Sequence, residues 1–587
     1  MVEVKSAWKG LVARAIADYA KGKSVQVDLP AKEEVVLERP PKPELGDFGF
    51  PMFPYAKLLR SAPPLVAQAL AAKIASYPEA EGLGVARADG PYLNIRLNRA
   101  SIIASVLSEA SSPSWGTCSS LDGKKVLVEF SSPNTNKPLH LGHLRNNVLG
   151  ESLSRILSAA GAEVRKFNHI DDRGVHICKS MLAYIAYGEG RTPKDEGLKG
   201  DHFVGKYYVL FNKLKEEDTK AEEKAQDMLL KWEQGDAATR ELWGKMRGWV
   251  LDGIRETYAR TGIAFDVYDY ESELYEYGRK EVLRGLEAGV FYREEDGSIQ
   301  VNLEDVGLDK KVLLRKDGTS IYITQDIGTA IHRHENWPYD RLVYVVGNEQ
   351  QYHFKVLFEV LKRLGFSWAS DLHHLSYGMV NLPTGRMKTR EGTVVDADDL
   401  VDEIASMAAK EIEAKGREGS VGDASAVSEK IALGALHYYL LQTSPIKDIL
   451  YDPAESLSFT GDTGPYIQYM GARSSSILRK NAAGEGNAVK GKADSHLLAS
   501  DADWSVVKRI AELPEAVDAA AVAMEPSILA AYLHDLAADF STWYRDNPVL
   551  NNPDADLAAS RLELVKAVKH SFETATDLIC MPFLETM

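Results

Sequence analysis

Two stretches of this chain repeat one order of apolar and polar residues, and that order restricts the fold more than any other feature. In the first, KKVLVEF (124–130) is a short apolar run, and the polar loop SSPNTNKPLHLGH follows it. Leu144, Val148, Leu149, Leu153, Ile156 and Leu157 then recur at helical spacing up to Gly161, and AEVRKFNHI (162–170) is a second short run. Short apolar runs suit buried strands, and the 3.6-residue period between them suits an amphipathic helix. The second stretch has RLVYVVG, HFKVLFEVLKRLG and LSYGMV in the same roles. A helical crossover of this kind joins parallel strands and is almost always right-handed. Two such units predict a doubly wound parallel α/β sheet, which binds ligands beyond the carboxyl ends of its strands.

The rest of the chain reads as attachments to that sheet. Before it, RPPKPELGDFGFPMFPYAKLLRSAPPLVAQALAAKI and the short strand GPYLNIRL suggest a small α+β unit, and SSPSWGTCSSLDGKK reads as a linker. A charged, helix-rich insertion spans roughly 190–300, and its run KLKEEDTKAEEKAQDMLLKWEQ reads as a solvated helical face. Beyond about 405 nearly every segment has helical periodicity, as in SEKIALGALHYYLLQ and ASRLELVKAVKHSFETATDLI. The expected domains are therefore 1–112, 113–405 and 406–587, several domains being normal for 587 residues. An apolar content of 45% with 26% charged residues suits a soluble globular chain, and no run approaches the ~18 apolar residues of a membrane span. The start carries acids and no apolar signal core, and Cys118, Cys178 and Cys580 are isolated. A reduced, cytoplasmic protein without a structural zinc site is expected. The net charge of −16 weighs against a general nucleic-acid binder but permits a local basic patch.

The loop after the first strand concentrates polar chemistry. His140 and His143, three apart around Gly142, suggest a metal pair, a decorated surface loop or a phosphate site. No third ligand stands nearby at a recognised spacing, which weakens the metal reading. The strand-to-helix position favours the phosphate reading, with glycine admitting a base or phosphate close to the backbone. Lys137 and the two histidines could donate to a triphosphate.

PLHLGH (138–143) resembles the HIGH motif of class I aminoacyl-tRNA synthetases, and SSPNTNKPLHLGHLRNN is similar to its form in the arginyl-tRNA synthetase family. ELGDFGF, DDRGVHI, SIYITQDIG, VGNEQQYHF, MKTREGTVV and GPYIQYMGAR then follow in that family's order along nearly the whole chain. GRMKTREGT (385–393) stands where the second, KMSK-type motif is expected, without its two lysines at the usual spacing; alone it would read as a basic turn. The resemblance implies a Rossmann-type catalytic domain, an N-terminal domain contacting the tRNA elbow and an all-α anticodon-binding bundle. It implies that ATP, as its Mg2+ complex, activates arginine, and that the arginyl group passes to tRNA-Arg. His140, His143 and Lys137 would be catalytic, Lys137 substituting for the missing second lysine. Gly142 and a subset of Arg386, Met387, Lys388 and Arg390, beside Thr389, would complete the ATP site.

The same resemblance places the amino acid. Glu129 and Asn134 would hold its α-amino group, and Asp326 its guanidinium, with Tyr322 and Gln350 alongside. Tyr322 and Asp326, four apart, share a face in either a helix or a strand, and Asp326 alone could equally be a helix cap. Trp543, Tyr544 and Arg545 are candidates for stacking tRNA bases, although an aromatic pair on a helix is more often core. Tyr92 and Asn94 are candidates at the elbow, with strand packing as the competing role. A monomer with no membrane partner is expected. Arg173 departs from the family, which often has tryptophan there. The rivals are a glutamyl, glutaminyl or cysteinyl enzyme, and a tRNA-binding paralogue without catalysis. Asp326 opposes an acidic substrate, and the intact Glu129, His140, Gly142 and His143 oppose loss of catalysis.

Overall fold

The structure, a computed structural model, describes residues 1–23, 30–38, 40–381, 383, 395–414, 422–484 and 489–587. By its contacts the chain forms two compact units, one of residues 1–116, 470–516 and 535–574, the other of residues 117–469, 517–534 and 575–587.

The larger unit is organised by five parallel strands: β1 (Lys125–Glu129), β2 (Glu163–Ile170), β3 (Val267–Tyr270), β4 (Arg341–Gly347) and β5 (Leu372–Tyr377). Their spatial order is β5-β4-β1-β2-β3. Val128 pairs in register with Val343 on one side and Lys166 on the other, so β1 is central. The chain winds outward from β1 through β2 to β3, then returns to β4 and continues to β5. That reversal opens a crevice at the carboxyl ends of β1 and β4. Both βαβ units expected from the sequence are present, crossing over through α1 (Leu141–Ala159) and α4 (Gln351–Arg363). Leu127, Leu342 and Tyr344 of the sheet pack with Leu357, Val360 and Leu361 of α4 and with Ile323, Ile327 and Ile331 of α3 (Tyr322–Asn336). Burying both faces of a parallel sheet explains why its central strands β1 and β4 read as near-continuous apolar runs.

The insertion is shorter than its charge pattern suggests. Helices Gly200–Glu217, Ala221–Glu233 and Ala237–Thr261 form it, but residues 267–270 are the edge strand β3, and Glu271–Glu287 is a helix of the core (α2). The strand sequence VYDY is only four residues long and carries one charged residue, Asp269, too little for alternation to reveal it. An antiparallel sheet of Tyr292–Arg293, Ile299–Val301 and Lys311–Leu314 follows α2.

Helices α2 and α3 meet at their backbones. A Cβ on Gly278 would stand 1.7 Å from the carbonyl oxygen of Thr324, and one on Gly328 would stand 2.3 Å from the nitrogen of Gly278. Side-chain-free contact at this crossing brings the start of α2 against the first turns of α3, so that Gln325 Nε2–H donates to Glu271 Oε1 at 2.9 Å.

The smaller unit holds an antiparallel sheet ordered Phe48–Pro51, Tyr92–Leu97, Gly84–Asp89, with helices Val2–Gly22 and Pro63–Ile74, as the α+β reading requires. Two of the tRNA candidates in it are core residues. Trp543 is 1% exposed, donates its indole N–H to Asp503 at 2.8 Å and lies near Phe540, which leaves no ring face for a base. Asn94 is buried in its strand, where its Oδ1 lies 3.3 Å from the position of a Cβ on Gly49. Tyr544 remains half-buried under the guanidinium of Arg473, Arg545 is exposed beside Asp546, and Tyr92 meets exposed Phe53 edge to face.

Gly278→Ala forces the α2–α3 crossing apart. It is expected to lower unfolding stability by about 1–3 kcal/mol, the usual cost of overpacking, read as a lower urea midpoint at an unchanged m-value.

Candidate active site at the carboxyl ends of the strands

The loop leaving β1 is held in a conformation that side chains ordinarily avoid. Ser131 and Ser132 have φ of 78° and 48°. Non-glycine residues persist there only when neighbours fix them. Ser131 N–H donates to Asn146 Oδ1, Ser132 N–H donates to Asn168 Oδ1, and the Ser131 and Tyr258 hydroxyls lie 2.6 Å apart. Asn146 in turn donates to the Val345 carbonyl at 2.7 Å, so the loop is locked to β4 across the crevice. Asn146, Asn168 and Tyr258 have no local sequence signature, because their partners are 15 to 127 residues away.

The histidines start α1. Gly142 N–H donates to His140 Nδ1, and His140 N–H donates to His143 Nδ1, both at 3.1 Å. A Cβ on Gly142 would lie only 3.0 Å from the His140 ring. Since each Nδ1 accepts a backbone proton, a neutral ring carries its own proton on Nε2. Burial, with Lys137 nearby, pushes His140 down to about 4. Burial also pushes His143 well below the ordinary histidine range, with His140 and Lys137 adding to it. Burial lowers Lys137 too, although Asp171 opposes the shift. The pair therefore presents two neutral Nε2–H donors, with both Nδ1 atoms already engaged.

Arg145, one turn further along α1, is 1% exposed and donates to the carbonyls of Met379, Pro445 and Lys447. Leu141 N–H donates to the Val395 carbonyl and Ala397 N–H to the Leu139 carbonyl, so residues 395–397 run beside the histidine turn. Arg386, Met387, Lys388, Thr389 and Arg390, the KMSK-like candidates, lie outside the described residues.

The opposite side of the crevice is acidic. Glu129 ends β1 and ion-pairs with Arg333, which also donates to Asp269 at 2.6 Å. Asp326 accepts from His353 Nε2 at 2.5 Å, and burial opposes that carboxylate's raising of the His353 pKa, which ends above its ordinary value. Asp171, whose backbone bridges Asn134, is pushed well above the carboxylate range by burial and by the charges of Glu271, Asp326, Glu129 and Asp172. Glu271, up to about 7, is raised by burial, with Arg173 and Gln325 opposing. A cavity of about 710 Å³ opens beside these acids, lined in part by Glu271, Tyr322 and Gln325. Tyr322 is 77% exposed, and Gln350 is exposed in the turn before α4.

The structure thus draws Glu129, Asp326 and the Asn134 backbone to one acidic side, and His140, Gly142, His143 and Lys137 to the other. Glu271, Asp171 and Arg333 were not anticipated; DD in DDRGVHI was the one available signal for Asp171. Among the described residues, Asp201, His202 and Asp398 could cluster on a cation, but the Lys199 ammonium already contacts both acids.

Residues 104–452 match the family model of the class I (R) tRNA synthetase catalytic domain, 467–587 the DALR anticodon binding domain, and 6–97 the arginyl tRNA synthetase N-terminal domain. The chain is 53% identical over its whole length to a Treponema denticola protein named arginine–tRNA ligase, covering 100% of each. It is 41% identical to the protein of that name from Borrelia duttonii, covering 100% of this chain and 99% of that one. The solved arginyl-tRNA synthetase of Thermus thermophilus superposes with a TM-score of 0.77 at 29% identity, covering 98% of this chain and 99% of the other.

Both histidines should remain neutral Nε2–H tautomers from pH 7 to 5, read from imidazole 15N shifts. Because folding depresses their pKa values, the unfolded chain binds more protons below about 6.5. Their contribution to stability is complete above that pH and declines as the pH falls toward 4. Protonation near 6.5 in the folded chain would refute the double cap.

Proposed function

Because the chain belongs to the arginyl-tRNA synthetase family and is an arginine–tRNA ligase of class I, we propose that the acidic side of the crevice takes arginine and the histidine side takes ATP. The observation that carries this division is the charge pattern. Glu129, Asp171, Glu271 and Asp326 converge closely enough that their charges help push Asp171 and Glu271 above the ordinary carboxylate range, which suits a substrate bringing a guanidinium and an ammonium. Glu129 and Asn134 hold the α-amino group; Asp326, with Tyr322, Gln350 and Glu271, holds the guanidinium. A glutamate side chain would meet the repulsion of Glu271 and Asp326 where a guanidinium is attracted.

An arginine carboxylate oxygen attacks the α-phosphorus of ATP, pyrophosphate leaves, and arginyl-adenylate remains. The terminal ribose hydroxyl of tRNA-Arg then attacks the arginyl carbonyl and AMP leaves. His140 and His143 stabilise charge on the phosphate oxygens through Nε2–H, with Lys137 and residues among 386–390 alongside, and none acts as a nucleophile. Mg2+ enters with ATP as part of the substrate. Residues 1–112 contact the tRNA elbow, with Tyr92 at its surface, and 406–587 bind the anticodon, with half-buried Tyr544 and exposed Arg545 as its remaining candidates. The protein acts in the cytoplasm as a monomer. No helix among the described residues is long and apolar enough to cross a membrane.

Aminoacylation with a panel of amino acids and tRNA-Arg tests the substrate, and charging of any residue but arginine would overturn it. His143→Asn is expected to lower kcat about 10²–10³-fold while leaving the KM for arginine nearly unchanged. Pyrophosphate exchange is expected only with tRNA-Arg present, as the family implies; equal rates without it would refute that dependence.

A further inference from the structure

Arg173 ends the run Asp171-Asp172-Arg173 at the carboxyl end of β2 and lines the 710 Å³ cavity. It is mostly buried. Its Nη2 donates to Glu233, its Nη1 lies 3.6 Å from Glu271 Oε1, and its guanidinium sits 4.3 Å from the ring centroid of Tyr275. Helix Ala221–Glu233, α2 and the β2 loop therefore converge on one guanidinium. Both the Arg173 contact and the Gln325 hydrogen bond fall on Glu271 Oε1, and no described residue bonds Oε2. The free oxygen belongs to the residue that, with Tyr322 and Gln325, walls the cavity.

We propose that Arg173 is a positioning residue for arginine selection, holding the Glu271 carboxylate ionised and oriented so that Oε2 meets the substrate's guanidinium. This rests on the reading that the acidic cavity takes the arginine side chain. Glu271 is surrounded by charge from several elements. Asp171 and Asp172 stand at the end of β2, Asp326 on α3, and Glu233 behind Arg173. Arg247 faces Asp172 at 2.7 Å, and Arg279 and Arg315 line the cavity farther out. Burial and the charges of Asp172 and Asp326 favour the protonated acid, and Arg173 is the foremost influence against them. Removing Arg173 leaves Glu271 with more acidic neighbours than cationic ones, so the carboxyl, already up to about 7, keeps its proton to a higher pH. A neutral carboxyl no longer attracts a guanidinium, whose own charge is fixed across that range. Stacking on Tyr275 and the Glu233 hydrogen bond keep Arg173 from swinging into the space the substrate needs.

Steady-state aminoacylation by the full chain with tRNA-Arg, between pH 6.5 and 8.5, tests this with R173A, R173K, E271Q and the R173A/E271Q double variant. R173A is expected to raise the KM for arginine about tenfold at pH 6.5 and about threefold or less at pH 8.5, as a pKa displaced by about one unit requires. The ratio of variant to parent KM cancels the titration of groups common to both. The KM for ATP should stay within about twofold, which also reports an intact fold. R173K, keeping charge without the planar stack, should recover part of the loss at pH 6.5. In the E271Q background, R173A should add nothing. An unchanged KM for arginine in R173A, an equal rise at every pH, or a full additional rise on top of E271Q would overturn the role of Arg173. If E271Q itself leaves the KM for arginine unaltered, it is the arginine reading of the cavity that fails, whatever R173A does.

Discussion

The guanidinium of Arg333 joins three elements that would otherwise have no reason to keep their spacing. It is 1% exposed and lies between Glu129 at the end of β1 and Asp269 in β3, above the ring of Phe167 in the intervening strand. It comes from α3, which also carries Tyr322 and Asp326. The helix that supplies one acid of the proposed amino-acid site therefore also pins the other, Glu129, through Arg333. Two buried carboxylates cannot stay charged at that depth without a partner, and a buried pair that loses one member typically costs about 3–5 kcal/mol. The sheet edge, the helix and the site consequently stand or fall together.

Around that clamp the crevice separates two kinds of electrostatics. On the side proposed for ATP the histidines are buried, neutral and fixed by backbone donors, so they offer N–H groups without adding charge of their own. On the side proposed for the amino acid the carboxylates crowd until they push one another's protonation upward, as at Asp171 and Glu271. A substrate that brings positive charge relieves that crowding, and a polyphosphate is kept away from it. The topology supports the division because β1 feeds both sides, with Glu129 at its last residue and the histidine turn eleven residues on.

Much of the frame was legible in the sequence, because it follows from local periodicity. The apolar runs of β1, β2, β4 and β5 and the helical spacing of α1 and α4 need no tertiary information to be seen. β3 escaped because four residues, one of them charged, carry no usable alternation. Within the candidate site, motif order pointed to His140, His143, Glu129 and Asp326, which the structure places around the crevice. It was not legible where long-range contacts decide, as at Arg333, Glu271, Asn146 and Arg145. Trp543 and Asn94 show the reverse error: residue types suited to RNA lie in core positions that only packing reveals.

The crossing of α2 and α3 has a consequence for how such a pocket can diversify. Glu271, Tyr275 and Gly278 recur on one face of α2, so the gap between the acids of the two helices is set by backbone touching backbone rather than by adjustable side chains. Neither helix can acquire a methyl group at that point unless the other gives way. The two helices are therefore coupled at that point, and the span between Glu271 and Asp326 would act as a fixed gauge for a cation bound between them. A redesign for a bulkier cation would start by widening the gauge at Gly278 and Gly328, leaving the acids in place.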